Sequence, residues 1–190
     1  MEGNIFRLSD LTSLICEAHT IPPESEGLVI CDYALSDNPR SDSTALLYAH
    51  RATVEEKKHF WIADCLADRY DARETAYQIS KFVGKHKPAR THIERLSGWQ
   101  YLENEIVRQA EKYGTELSPL TFFKPSKKPD CKRDRILLFK KACDEGRVHF
   151  VRGAWNEALF ECLCLYTGEK KNKGRKDDLA DTCGYLVLKG

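Results

Sequence analysis

Residues 27–35, GLVICDYAL, form a short, continuous apolar run, the pattern of a strand buried on both faces. After a polar DNPRSD turn, STALLYAHRA and KHFWIADCLADRY are two more strand-like runs on either side of VEEKK, and together the three predict an antiparallel meander. From Asp71 the period changes. In DARETAYQISKFVGK, Ala72, Ala76, Ile79 and Val83 recur at helical spacing, and Asp71 with Glu74 reads as a capping box, so a helix is predicted that ends near Gly84. ARTHIER predicts a strand. SGWQYLENEIVRQAEKYG then predicts a helix with Ser97 and Gln100 as its capping box and Trp99, Leu102, Ile106 and Ala110 down one face. TELSPLTFF predicts a strand that Pro119 confines to a sheet edge or splits in two. DCKRDRILLFKKACDEG reads as a helix, GRVHFV as a short extended piece and GAWNEALFECLCLYT as another helix. Past the polar GEKKNKGRK, DDLADTCGYLVLK is a final helix with Leu179, Cys183, Leu186 and Val187 as its apolar stripe.

Three leading antiparallel strands, followed by strands that alternate with helices, specify an α/β fold: a mixed sheet, antiparallel then parallel, flanked by helices. Residues 1–26 hold one short helix, Leu8 to Ala18, and the break IPPESEG, and read as a lead-in or linker remnant; residues 27–190 are the expected folded domain. At 42% hydrophobic and 31% charged, 190 residues suffice for one sizeable core. Thirty basic against 29 acidic residues give bulk charge no power to select a partner, so only local clustering is informative. No apolar run reaches the length of a membrane span, and MEGNIFRLSD lacks the basic-then-apolar order of a secretory signal; a soluble, intracellular protein without membrane contact is expected. The eight cysteines lie in apolar segments with no Cys-x-x-Cys pair and read as reduced core residues. A zinc module fits poorly, because Cys162 and Cys164 would fall on different helix faces.

The acidic positions change the picture. Asp32 stands near the end of the first apolar strand, where an ionised carboxylate is costly unless it is paired, hydrogen-bonded or bound to a metal. Glu94 occupies the equivalent end of the HIE strand, which should lie beside it. Asp177, Asp178 and Asp181 open the last helix, with Asp177 and Asp181 on one face. Singly, each has an ordinary reading: a strand-end carboxylate, or acids that complement a helix dipole. Jointly, they bring carboxylates from three elements to one point, and such a cluster repels itself unless divalent cations neutralise it; hard oxygen donors suit magnesium or manganese. The matching chemistry is two-metal phosphodiester cleavage, with ions about 3.5–4 Å apart.

The words LVICDYAL with SDSTALLY, THIERLSGWQYL, KRDRI with EGRVHF, and RKDDLADTCGYLV resemble the nuclease domain of tailed-phage large terminases, a branch of the ribonuclease H-like superfamily related to RuvC resolvases. The likeness spans roughly residues 27–188. It implies an endonuclease using two Mg2+ or Mn2+ ions to cut concatemeric viral double-stranded DNA during packaging, in the cytoplasm of the infected bacterial host. The terminase ATPase domain, the small terminase subunit and the portal are its implied partners. Carried over by motif, Asp32, Glu94 and Asp177 are the catalytic acids and Asp181 completes the metal set. Asp42, in Ser-Asp-x-Thr-Ala, is an outer ligand, and Asp178 is a ligand or a helix cap. No G-x-x-x-x-G-K-[ST] loop is present, so ATP hydrolysis is not expected of this chain, which reads as an excised domain or a separately encoded piece.

Two basic runs, KPSKKPDCKRDR and GEKKNKGRK, read in isolation as solvated loops. Adjacency to DDLAD shifts the second run towards backbone contact with DNA through Lys171, Lys173, Arg175 and Lys176, with Lys132 and Arg133 as second choices. Trp99 and Trp155 have apolar neighbours and read as core rather than as base-stacking platforms. Two competing functions remain open on the sequence: a RuvC-like junction resolvase, which needs a dimer, and a non-catalytic docking module of the packaging machinery.

Overall fold

The computed structural model describes residues 4–34, 43–125, 131–168 and 177–190. In chain order its elements are α1 (Leu8–Thr12), β1 (Ile15–Cys16), a 3-10 turn (Ala18–Thr20), β2 (Glu26–Asp32), β3 (Thr44–Val54), β4 (Lys57–Asp68), α2 (Ala72–Lys85), β5 (Arg90–Glu94), α3 (Trp99–Tyr113), β6 (Leu120–Phe123), α4 (Cys131–Asp144), β7 (Val148–Val151), α5 (Asn156–Leu165) and α6 (Asp178–Lys189). The strands form one seven-stranded sheet in the order β1-β7-β4-β3-β2-β5-β6. The pairs β2–β3 and β3–β4 are antiparallel, as the meander pattern predicts, and the remaining pairs are parallel. This is the mixed α/β architecture expected, with β6 on an edge; of the strand predicted over TELSPLTFF only Leu120–Phe123, after Pro119, is in the sheet.

Alternation along β2 sorts its side chains between two layers. Val29 and Cys31 face a cluster with Ala76, Ile79, Val83, Leu102 and Ile106 of α2 and α3. Leu28 and Ile30 face the larger cluster built from α1, α4, α5 and α6, including Ile136, Phe139, Leu159, Cys183 and Leu186. Helix α6 crosses the centre of the sheet against β2, β3 and β4 and packs along α4. It is buried continuously from Asp178 to Leu186, far beyond one apolar stripe.

Two further local expectations are corrected. The helix expected over Leu8–Ala18 stops at Thr12, and Ile15–Cys16 instead pairs in parallel with Phe150–Val151. The open edge of β7 offers that segment backbone partners: Phe150 N–H donates to Leu14 C=O at 2.9 Å and Arg152 N–H to Cys16 C=O at 2.9 Å. Phe6 and Leu11, each 1% exposed, join the large core cluster, so residues ahead of the expected domain pack onto it. At α3 the N-cap is Gly98 at φ 80°, not Ser97. Arg95 over the Trp99 ring (4.3 Å) and Trp99 against Phe122 (5.1 Å) hold this start, and only glycine takes the left-handed turn at low cost. At α2, by contrast, Asp71 caps as expected, its carboxylate accepting from Glu74 N–H at 2.7 Å. GRVHFV is a full sheet member, β7, between β4 and β1.

Candidate metal centre

Parallel pairing sets Cys31 opposite Ile93, so Asp32 and Glu94 follow at adjacent strand ends. Both share the parity of Ile30 rather than of Cys31, and so project towards α6 rather than towards α2 and α3. The first turn of α6 meets them there. One carboxylate oxygen each from Asp32, Glu94 and Asp181 lie within 4.8 Å of one another, with Glu94 and Asp181 buried and Asp32 partly accessible. Among the described residues this is the one such group of metal-capable side chains.

The other acids of α6 are placed differently. Asp177 is the N-cap residue, its C=O accepting from Asp181 N–H at 3.0 Å, and its Oδ1 lies 3.1 Å from Lys132 Nζ. Asp178 turns away from the triad: its Oδ2 accepts from Ser43 N–H at 2.9 Å and from Ser43 Oγ at 2.5 Å, tying α6 to the residue before β3. Asp42 and the basic residues Lys171, Lys173, Arg175 and Lys176 lie outside the described residues. Arg133 is exposed, beside Gly168.

Two cations from α4 enter the cluster. Arg135 grips both oxygens of Asp181, Nη2 reaching Oδ2 at 2.7 Å and Nε pairing with Oδ1. Lys132 Nζ also lies 3.3 Å from Asp181 Oδ2. The Arg135 guanidinium lies over the Tyr185 ring at 4.2 Å, and Tyr185 in turn packs edge-on against Phe123 at 4.8 Å. The basic word KRDR exposed these two side chains to view, but as surface charge; their inward direction depends on how α4 packs against α6, which no local pattern encodes.

Asp32, Glu94, Asp177 and Asp181 thus face two cations, and the imbalance is visible in the protonation equilibria. Loss of hydration, then the charges of Glu94, Asp181 and Asp178, push the Asp32 carboxyl well above the usual range, with Lys132 opposing. Glu94 is pushed up by burial and by Asp181, against the Tyr185 hydroxyl, Arg135 and Lys132. Burial works against the charge on Lys132, but Asp181 and Asp177 outweigh it and raise its pKa. A carboxylate pair that resists ionisation, beside a third carboxylate and with one member partly accessible, is a donor set that a hard divalent cation suits.

The family described as the terminase RNaseH-like domain matches residues 29–189. Among solved structures, the phage P22 large terminase nuclease domain superposes with a TM-score of 0.66 at 16% identity, over 100% of this chain and 95% of that one. The HK97 bacteriophage large terminase superposes at 0.53 and 15% identity, over 96% of this chain but only 43% of that one. At these identities the likeness concerns the fold. No curated relative matches the sequence. No described helix is long and apolar enough to cross a membrane.

Proposed function

The chain belongs to the terminase RNaseH-like domain family, and from that membership we propose that it is a metal-dependent endonuclease that cuts concatemeric viral DNA during genome packaging. The observation that carries the reading is the convergence of Asp32, Glu94 and Asp181, from three separate elements, within 4.8 Å. On this reading these acids hold Mg2+ or Mn2+ beside the scissile phosphate, and Asp177 borders the site. Two such ions, when bound, supply a more acidic water and neutralise charge on the leaving oxygen. Arg135 fixes the rotamer of Asp181 by a two-point grip. Asp178, through Ser43, braces the start of α6 against the sheet so that the acids keep their spacing.

The functional unit of this reading runs over residues 27–190, with Phe6 and Leu11 bracing the layer that holds α6 and β1 extending the sheet. Lys171, Lys173, Arg175 and Lys176, next in sequence to the site, are proposed to hold the DNA backbone without reading bases, so binding should weaken steeply with salt. The ATPase domain of a terminase, the small subunit and the portal are its proposed partners, in the cytoplasm of an infected bacterium. Manganese-stimulated nicking of supercoiled plasmid tests the activity. It should fall to background in Asp32→Asn and in chelator; unchanged nicking by Asp32→Asn would overturn the reading.

A further inference from the structure

On the metal-dependent reading above, the acids must attract cations, and one half of the cluster already holds them. Lys132, in the first turn of α4, places Nζ between the two carboxylates on one face of the α6 start: 3.1 Å from Asp177 Oδ1 and 3.3 Å from Asp181 Oδ2. An i, i+4 carboxylate pair is also what a divalent ion bridging that face would use. Asp181 is further engaged at both oxygens by Arg135. Asp32 and Glu94, among the described residues, are in no ion pair, so the opposite half of the cluster has no contacting protein cation.

The two cations differ in their freedom to leave. The Arg135 side chain is 8% exposed and is stacked on Tyr185, whereas that of Lys132 is 32% exposed, on a flexible four-carbon stem with a single point charge at its tip. Arg135 is part of the scaffold; Lys132 can swing out to solvent.

We infer that the Lys132 ammonium stands in the second cation position of the resting protein, so that the domain takes one divalent ion tightly among Asp32, Glu94 and Asp181 and a second only when Lys132 is displaced. The lysine thereby sets the order of loading: full occupancy waits on a ligand, such as a phosphodiester, that draws the ammonium away from Asp177 and Asp181.

Mn2+ titration of the full chain without DNA, followed by calorimetry and by the electron paramagnetic resonance of free Mn2+, reads this directly. The wild type should bind one ion, and a second only at much higher concentration. In Lys132→Met the second ion should tighten by roughly tenfold or more, the order expected when a unit charge at contact distance is removed. Lys132→Arg should keep the one-ion behaviour. Two equivalent ions in the wild type, or a Lys132→Met protein with wild-type stoichiometry, overturns the assignment of Lys132 while leaving the nuclease reading intact. A wild type that binds no ion overturns both. Should Lys132→Met fail to fold, the wild-type and Lys132→Arg titrations decide: one tight ion in both supports the inference, two equivalent ions in either sinks it.

Discussion

Gly184 on α6 lies so close to Arg135 on α4 that a Cβ at residue 184 would come within 2.8 Å of Arg135 Cγ and 3.1 Å of its carbonyl carbon. This close crossing brings the Arg135 guanidinium to Asp181, about one helical turn before Gly184. Alanine normally favours a helix over glycine by about 1 kcal/mol. Here it meets backbone, so Gly184→Ala should instead destabilise by about 1–3 kcal/mol through overpacking. Urea unfolding measures the change, and a variant as stable as the wild type would show that the two helices part without cost.

Removing Arg135 strands the Asp181 charge. Arg135→Met should lower stability by about 3–5 kcal/mol, the usual cost of leaving half of a buried pair. Arg135→Lys should recover only part of this, since an ammonium cannot make the two-point grip. Thermal melts in chelator test both, and adding Mn2+ should raise the melting temperature more for Arg135→Met than for the wild type. Equal gains would mean that the guanidinium and the metal do not share a carboxylate.

The metal-free protein should grow less stable as pH rises. Asp32 and Glu94 titrate above their ordinary values, first because they lose hydration and then because acids crowd them. Below the unfolded value of about 4 both states are protonated and folding carries no penalty. As pH climbs past it the unfolded chain ionises first, and stability falls until the folded values are passed. In chelator, Asp32→Asn should therefore melt higher than the wild type, by a margin that widens from about pH 5 to about pH 7, even though the variant is expected to be inactive. A constant margin would argue against charge crowding.

Asp64 has the opposite sign. Burial alone would raise its carboxyl, but hydrogen bonds from His86 Nε2 (2.8 Å) and Lys85 Nζ (2.7 Å) overcome this and hold it low. A depressed carboxylate contributes stability above its unfolded value and loses it as pH falls through the folded one. Asp64→Asn should cost about 1 kcal/mol near neutrality, with the difference closing in acid. A pH series of melting curves on the two proteins checks the closure.

The periodic elements could be read from the sequence because they bury alternate or every third-to-fourth residue: the meander, α2 with its Asp71 cap, and the buried face of α6. Ile15–Cys16 could not, since two residues carry no period and their strand character comes from the free edge of β7. Gly98 displaced Ser97 for a similar reason, as aromatic and cation contacts made across the turn decide how α3 begins. At the site, strand-end position was enough to bring Asp32 and Glu94 together. Spacing alone could not rank Asp177 against Asp181, which share a face. Lys132 of α4 meets both, whereas Arg135 grips Asp181, the one of the two whose oxygen lies with those of Asp32 and Glu94.

The three converging acids stand on β2, β5 and α6, so the last of them arrives only when the final described helix docks across the finished sheet. A chain still leaving the ribosome, or one clipped ahead of α6, would lack Asp181 together with the core positions Leu179, Cys183 and Leu186. On the proposed assignment it could not cut. On that same assignment, topology alone withholds cutting from copies whose last helix has not yet docked.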